Sequence, residues 1–151
     1  MINEFKDDYV FLSNFYPSVI VYDTVHYPTN EHFFQAMKTT DKKVRAFIAG
    51  LQYAGQAKKA GRQVHLRPDW EDIKLEVMAF GLMRKFEHPS LRQKLIDTYP
   101  HDLVEGNYWN DKIWGYCLKT NEGKNYLGQL LVSLRTILIN EDRAAGPDPA
   151  F

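Results

Sequence analysis

Disulfides, zinc clusters and membrane spans are features that this sequence lacks. It contains a single cysteine, Cys117, so no intrachain disulfide can form, and no group of Cys and His residues has the spacing of a zinc site. No apolar run approaches the roughly 18 residues of a membrane-spanning helix, and the first residues do not resemble a signal peptide. We therefore expect a cytoplasmic protein that needs no metal or cofactor and does not bind a membrane.

The chain also lacks an excess of charge of either sign. Its 19 basic and 19 acidic residues balance, so there is no overall basic field to grip a long nucleic acid. A short nucleotide held by a few placed Lys and Arg side chains is compatible with this composition. With 151 residues, 44% of them hydrophobic and 14% aromatic, the chain is long and apolar enough to form one folded domain.

Local patterns predict a mainly α-helical α+β domain of about six helices with a few short strands. Two β-branched runs around Asp23 and Thr24 predict a hairpin that ends at Pro28. Thr29 or Asn30 can cap the next helix, Asp41 a second helix, and Ser90 with Gln93 forms a capping box. The predicted helices cover roughly 30–39, 42–51, 56–60, 70–86, 91–99 and 127–140, and the predicted later strands cover 103–105 and 113–118. We assign 1–140 to the domain and 141–151, which lacks periodicity, to a flexible tail.

The segment 108–115, with the sequence YWNDKIWG, combines a carboxylate and two indoles within a polar loop. Indole faces hold nucleobase-like rings, and a fixed carboxylate can deliver water or stabilise a cation. The ordinary alternatives are an Asn-Asp turn for Asp111 and a core position for Trp114. The pattern leaves both interpretations open.

Glu31 is the second candidate acid, because its helix carries Phe33, Phe34 and Met37 and so faces inward. The alternative is that Glu31 only stabilises the first helical turn and pairs with Gln35. Among the cations, Arg62 follows Gly61 at a helix end, where a guanidinium can bind phosphate bidentately. Solvated surface positions are the alternative for Arg62, Lys38 and Lys85.

Eight sequence pieces in register resemble the NADAR family, which includes the YbiA-like N-glycosidases. The first two are FLSNF at 11–15 and YPTNEHFFQAMK at 27–38. The later pieces are AGR at 60–62, RPDW at 67–70, KF at 85–86, LVE at 103–105, DKIWG at 111–115 and GKNYLG at 123–128. The likeness covers roughly residues 9–139.

The resemblance implies a mainly helical single domain that hydrolyses the C–N bond between a ribose and a nitrogenous base. It implies two substrate classes: ribosylamino-pyrimidine phosphates formed early in riboflavin synthesis, and guanine carrying ADP-ribose, including such guanine within nucleic acid. It places Glu31, Asp111 and Trp114 at catalytic positions, and Asn14, Lys38 and Arg62 at recurrent polar positions.

The mechanism that fits these residues uses Glu31 and Asp111 to orient water and stabilise an oxocarbenium-like ribose. Trp114 would stack on the base, and Arg62 with Lys38 or Lys85 would hold phosphate. This hypothesis requires the two acids to meet beside Trp114. The alternatives are a non-catalytic module that binds ADP-ribose or another nucleotide, and an adaptor that uses Trp109 and Trp114 as an interface. The sequence leaves the oligomeric state open.

Overall fold

The computed structural model describes residues 1–146, which divide into two compact units. One unit consists of Asn14–Lys85, and the other consists of Met1–Ser13 together with the chain from Phe86 onward. The first is called the middle unit and the second the terminal unit. In the described residues, no helix has both the length and the hydropathy needed to cross a membrane.

The middle unit consists of a hairpin followed by four helices. Its elements are β1 (Pro17–Tyr22), β2 (Val25–Thr29), α1 (Asn30–Ala36), α2 (Lys42–Ala49), α3 (Ala54–Gly61) and α4 (Trp70–Lys85). The strands pair antiparallel around Asp23 and Thr24, and both turn residues have positive φ. This is the two-residue turn that fits the twist of a hairpin. The hairpin prediction is confirmed, although β2 continues through Pro28 to Thr29 because that end of the strand still pairs with Pro17.

Helix α1 is the centre of the middle unit and packs against α2, α3, α4 and both strands. Thr29 caps it by accepting a hydrogen bond from the backbone N–H of His32, as predicted, and Asp41 caps α2 in the same way. All seven residues of α1 are buried. The rings of Tyr22, Tyr27 and Phe80 surround Phe33, and each has its centroid 5.7 Å from that of Phe33. The rings of Tyr22 and Phe80 also contact each other at 5.8 Å. The inward-facing interpretation of α1 is confirmed.

The terminal unit is built around two packed helices. Its elements are a 3-10 helix (Asp7–Leu12), α5 (Pro89–Asp97), β3 (Gly106–Asn107), β4 (Tyr116–Cys117) and α6 (Tyr126–Ala145). Strands β3 and β4 pair in parallel, and Ile2 bridges to Leu103. The buried guanidinium of Arg135 on α6 donates to Thr98 Oγ1 at 2.9 Å and to the carbonyl of His101 at 2.7 Å. This cation therefore ties the end of α5 to α6.

The described residues contain six α-helices and one 3-10 helix, which confirms the predicted mainly helical α+β class. The prediction of a capping box at Ser90 and Gln93 is wrong. His88 is the N-cap of α5 and Pro89 occupies its first turn, because proline needs no backbone hydrogen bond there. The first later strand is displaced from 103–105 to 106–107, because the backbone of Leu103 and Val104 pairs with Ile2 instead. The second is confirmed but is shorter than predicted, at 116–117.

Helix α6 extends five residues beyond the predicted end at Asn140, so the first residues of the predicted tail, 141–145, are helical. In this extension the guanidinium of Arg92 on α5 contacts the carboxylates of Glu141 at 3.4 Å and Asp142 at 2.8 Å. These pairs supply contacts that the local periodicity does not show. The rest of the predicted tail, 147–151, lies outside the described residues.

His32 is expected to make folding pH-dependent. Its ring is buried between the hydroxyl of Thr29, 2.7 Å from Nδ1, and the carbonyl of Leu51, 2.9 Å from Nε2. Burial lowers the pKa of His32, and the hydrogen bond to Leu51 opposes this only in part. Below about pH 6.5 the unfolded chain therefore takes up a proton that the folded chain does not, and stability falls with pH until the folded pKa is reached.

Urea unfolding at about pH 7.5 and about pH 5.5 tests this pH dependence, because the difference between the two unfolding free energies measures the proton uptake linked to unfolding. Between these two pH values, we expect the unfolding free energy of His32→Gln to fall less than that of the wild type. His65→Gln is the matched control at an exposed position. A loss of equal size in His32→Gln and the wild type would show that another group carries the dependence.

Candidate active site

Glu31 lies in the first turn of α1 and is only 7% exposed. Its backbone N–H donates to the carbonyl of Asn14 at 3.1 Å. One helical turn later, Nε2 of Gln35 donates a 2.7 Å hydrogen bond to Oε1 of Glu31. The predicted Glu31–Gln35 pair is therefore present, and it fixes the carboxylate of a buried acid in one orientation.

Gly61 is the residue that lets α3 approach this pair. A methyl group at Gly61 would lie 1.8 Å from Oε1 and 2.6 Å from Cδ of Gln35. That oxygen of Gln35 is buried and has no hydrogen-bond partner among the described residues. Turning the amide over would place oxygen against the Glu31 carboxylate, so the contact with Gly61 is the less costly arrangement.

Three positively charged residues interact electrostatically near Glu31 in the middle unit: Lys38, Lys58 and Arg62. Lys38 follows the end of α1, and its Nζ lies 5.9 Å from the ring centre of Phe34. Burial lowers the pKa of Lys38; the carboxylate of Glu31 raises it, and the charges of Arg62 and Lys58 lower it further. The structure thus brings together three predicted residues, Glu31, Lys38 and Arg62. It adds Lys58, which the sequence analysis missed because a lysine on a short helix gives no signal.

Asn14 and Lys85, both predicted to bind substrate, are buried in the middle unit. The side chain of Asn14 accepts from Asn30 Nδ2 at 2.8 Å and donates to Met78 Sδ at 3.4 Å. Lys85 is 1% exposed, with Nζ 5.6 Å from the ring centre of Tyr16. Asn14 thus links α1 to α4 through its side chain, and the roles of both residues toward substrate stay predictions.

Asp111 organises the loop between β3 and β4 in the terminal unit. Its Oδ1 accepts hydrogen bonds from the backbone N–H groups of Ile113 and Trp114, both at 3.1 Å. The turn interpretation of Asp111 is therefore correct. Both hydrogen bonds use Oδ1, which leaves Oδ2 able to contact a ligand, so the turn does not exclude a role in chemistry.

Asn107 is a buried residue of this loop that the sequence analysis missed. Its Nδ2 donates to the carbonyls of Asp111 at 2.9 Å and Tyr116 at 3.2 Å, and its Oδ1 accepts from the N–H groups of Trp109 at 3.2 Å and Asp111 at 3.1 Å. One amide therefore holds both ends of the turn. Asparagine is common in turns, so nothing in its sequence context distinguishes it.

The two indoles of the loop differ in their surroundings. Trp114 is partly buried, and its ring meets that of Tyr126 edge to face at 6.3 Å. Its backbone carbonyl accepts from the N–H of Leu127 at the start of α6. Trp109 is 67% exposed. Trp114 is therefore held on two sides, as a stacking platform needs to be, whereas Trp109 lies on the surface.

Glu31 belongs to the middle unit, and Asp111 and Trp114 belong to the terminal unit. Each unit fixes its own candidate side chains through the contacts described above. The expectation that the two acids meet beside Trp114 stays a prediction.

The NADAR domain family model matches residues 2–139. The chain belongs to the NADAR family. This confirms the family named from the sequence, and the match extends over both units.

The names of similar proteins indicate an enzyme class within the NADAR family. N-glycosidase YbiA of Escherichia coli (strain K12) is 42% identical over 139 residues, which are 90% of this chain and 86% of that protein. A riboflavin biosynthesis protein of Vibrio vulnificus is 33% identical over 132 residues, which are 85% of this chain and 35% of that protein. An NMR structure of E. coli YbiA matches with a TM-score of 0.81 at 39% identity, covering 94% of this chain and 89% of that one. The prediction of an N-glycosidase-type hydrolase is confirmed by these relatives.

Gly61→Ala tests the packing that fixes Glu31 in this NADAR domain. Because the methyl group would overlap the Gln35 amide, we expect a loss of about 1–3 kcal/mol in unfolding free energy. Gly55→Ala is the matched control, since nothing lies within 4 Å of its Cβ position on the same helix. That variant should keep or gain up to about 1 kcal/mol. Equal urea-unfolding midpoints for the two variants would contradict the packing argument.

Proposed function

We propose that this NADAR protein hydrolyses the C–N bond between a phosphorylated ribose and a nitrogenous base. The candidate substrates are ribosylamino-pyrimidine phosphates of riboflavin synthesis and guanine carrying ADP-ribose. The observation that carries the proposal is Glu31, a 7%-exposed carboxylate oriented by Gln35. Membership of a family that contains N-glycosidases gives this carboxylate its chemistry.

The reaction breaks the bond from ribose C1 to nitrogen and adds the oxygen of water to C1. The departing nitrogen keeps the bonding electron pair and takes up a proton. Positive charge develops on C1 and the ring oxygen in the transition state, as in other glycoside cleavages. A carboxylate that is already oriented stabilises this charge without reorganising, which is worth about 3–4 kcal/mol per group.

Glu31 and Asp111 share the acid, base and charge-stabilising work in this proposal. One orients the attacking water and stabilises the ribose cation, while the other contacts ribose hydroxyls or assists the leaving base. Gln35 acts as a positioning residue because it holds one oxygen of Glu31. Asp111 uses Oδ1 to build its loop, so Oδ2 is the oxygen that we assign to the substrate.

Trp114 stacks on the base, and Lys38 and Arg62 hold phosphate. The edge-to-face contact with Tyr126 supports a fixed indole plane. The charges of Arg62 and Glu31 both act on Lys38, which supports a phosphate and a cleaved bond within the same substrate. Lys85 would have to move to reach a ligand because it is 1% exposed, so we assign phosphate to Lys38 and Arg62 first.

Charge-neutral variants separate chemistry from folding. In Glu31→Gln the side chain can still accept from Gln35, and in Asp111→Asn it can still cap the loop. Each variant should therefore fold like the wild type but turn over at least about 100-fold more slowly. The measurement is release of ribose 5-phosphate from a ribosylamino-pyrimidine phosphate, run in parallel with removal of ADP-ribose from guanine.

The control variant is Glu76→Gln, which changes an exposed acid on α4 of the middle unit. It should keep the wild-type rate. Near-full activity of a folded Asp111→Asn protein would remove Asp111 from the mechanism. Tight binding of ADP-ribose by a wild type that cleaves neither substrate would replace the glycosidase with a binding module.

Activity is expected to survive metal removal, because Glu31 and Asp111 supply the negative charge that the transition state needs. The measurement is the hydrolysis rate after dialysis against excess chelator, compared with untreated protein. An unchanged rate is the expected result. A rate that disappears and returns with one divalent ion would assign the charge stabilisation to a metal.

A further inference from the structure

Lys58 lies on the same face of the middle unit's third helix as Arg62. The two residues are four positions apart, Lys58 in the last turn of α3 and Arg62 at its C-cap, so their side chains are neighbours. Like charges at this spacing destabilise a helix by a few tenths of a kcal/mol. Placement at the negative end of the helix offsets part of that cost.

None of the three cations Lys38, Lys58 and Arg62 forms a salt bridge with a carboxylate in residues 1–146. Lys38 and Lys58 are nevertheless partly buried, whereas their neighbour Lys59 is exposed. A partly buried cation without a paired carboxylate is unfavourable in the free protein. A bound anion would relieve this cost for Lys38 and Lys58, and the exposed Arg62 at the end of the same helix as Lys58 can contact the same anion.

Aromatic rings hold the two lysines in place. Lys58 Nζ lies 6.0 Å from the ring centre of Phe15, and Lys38 Nζ lies 5.9 Å from that of Phe34. The ring of Phe34 in turn packs on Trp70 with a centroid distance of 5.0 Å. Contacts of this kind cover the hydrocarbon stems and restrict the ammonium groups. The cations are therefore partly ordered before a ligand arrives.

We propose that Lys58 completes an anion site with Lys38 and Arg62, and that this site binds the 5-phosphoryl group of the ribose whose bond is cleaved. The inference rests on the proposed function, because that function supplies the ribose. Together with Glu31 the three cations leave an excess of two positive charges. A phosphomonoester carries a charge of about −1.5 to −2 near neutral pH. Charge balance therefore favours a phosphorylated ribose over free ribose.

Both candidate substrates contain this group. In a ribosylamino-pyrimidine phosphate it is a terminal monoester, and in ADP-ribosylated guanine it is one half of a diphosphate. The site thus explains how one protein recognises either ligand through shared chemistry. Lys58 is a specificity-determining residue in this inference, since it contacts the phosphoryl group and not the bond that breaks.

The test is calorimetric titration of ribose 5-phosphate, ribose and ADP-ribose into the wild type and four variants, Lys58→Ala, Lys58→Arg, Lys59→Ala and Glu76→Gln. Loss of a charge-assisted hydrogen bond should weaken ribose 5-phosphate binding by about tenfold or more in Lys58→Ala. Lys58→Arg should retain most of the affinity, and Lys59→Ala should stay within about twofold of the wild type. Thermal unfolding of each variant checks that the fold is kept.

Ribose 5-phosphate binding that depends on Lys58 but not on Lys59 supports the inference. Equal effects of the two alanine variants, or ribose binding as tightly as ribose 5-phosphate, would overturn it. The ratio of ribose 5-phosphate to ADP-ribose affinity separates the monoester from the diphosphate as the natural source. Binding is measured without turnover, so an inactive wild type that still needs Lys58 for ribose 5-phosphate would reject the glycosidase and keep the anion site.

Discussion

The contact of Gly61 with the Gln35 amide determines the geometry around Glu31. Helix α3 lies close to α1 only because Gly61 has no side chain there. That approach directs the Gln35 nitrogen toward Glu31 and sets Arg62 at the end of α3, next in sequence to the contact. One glycine therefore links the orientation of an acid to the placement of a cation that we assign to phosphate.

In the terminal unit, a side-chain amide and not a contact between helices fixes the position of the candidate acid. Asn107 holds both ends of a loop that contains no helix or strand, and Asp111 closes the inner turn with one of its oxygens. A loop held in this way presents Trp114 in a defined orientation at little conformational cost on binding. Structural and chemical roles therefore coincide in Asp111, and the turn interpretation and the catalytic one are not exclusive.

The NADAR relatives give these two arrangements a common context. The family match spans both units, so the acid of α1 and the acid of the loop both lie within the residues that the family model matches. The names of the relatives point to N-glycosyl bonds and to riboflavin synthesis. The partly buried Lys38 and Lys58 add a physical reason for a phosphorylated ligand, since an anion would offset the cost of burying their charges.

The sequence by itself determined the elements whose signals are local. The turn at Asp23 and Thr24, the caps at Thr29 and Asp41 and the inward face of α1 follow from residue types a few positions apart. Only the tertiary structure decided the His88 cap of α5, the pairing of Arg92 with the end of α6 and the place of Lys58 beside Phe15. Those features depend on partners far away along the chain. Local sequence patterns do not predict such contacts, because they form only when separate elements pack together.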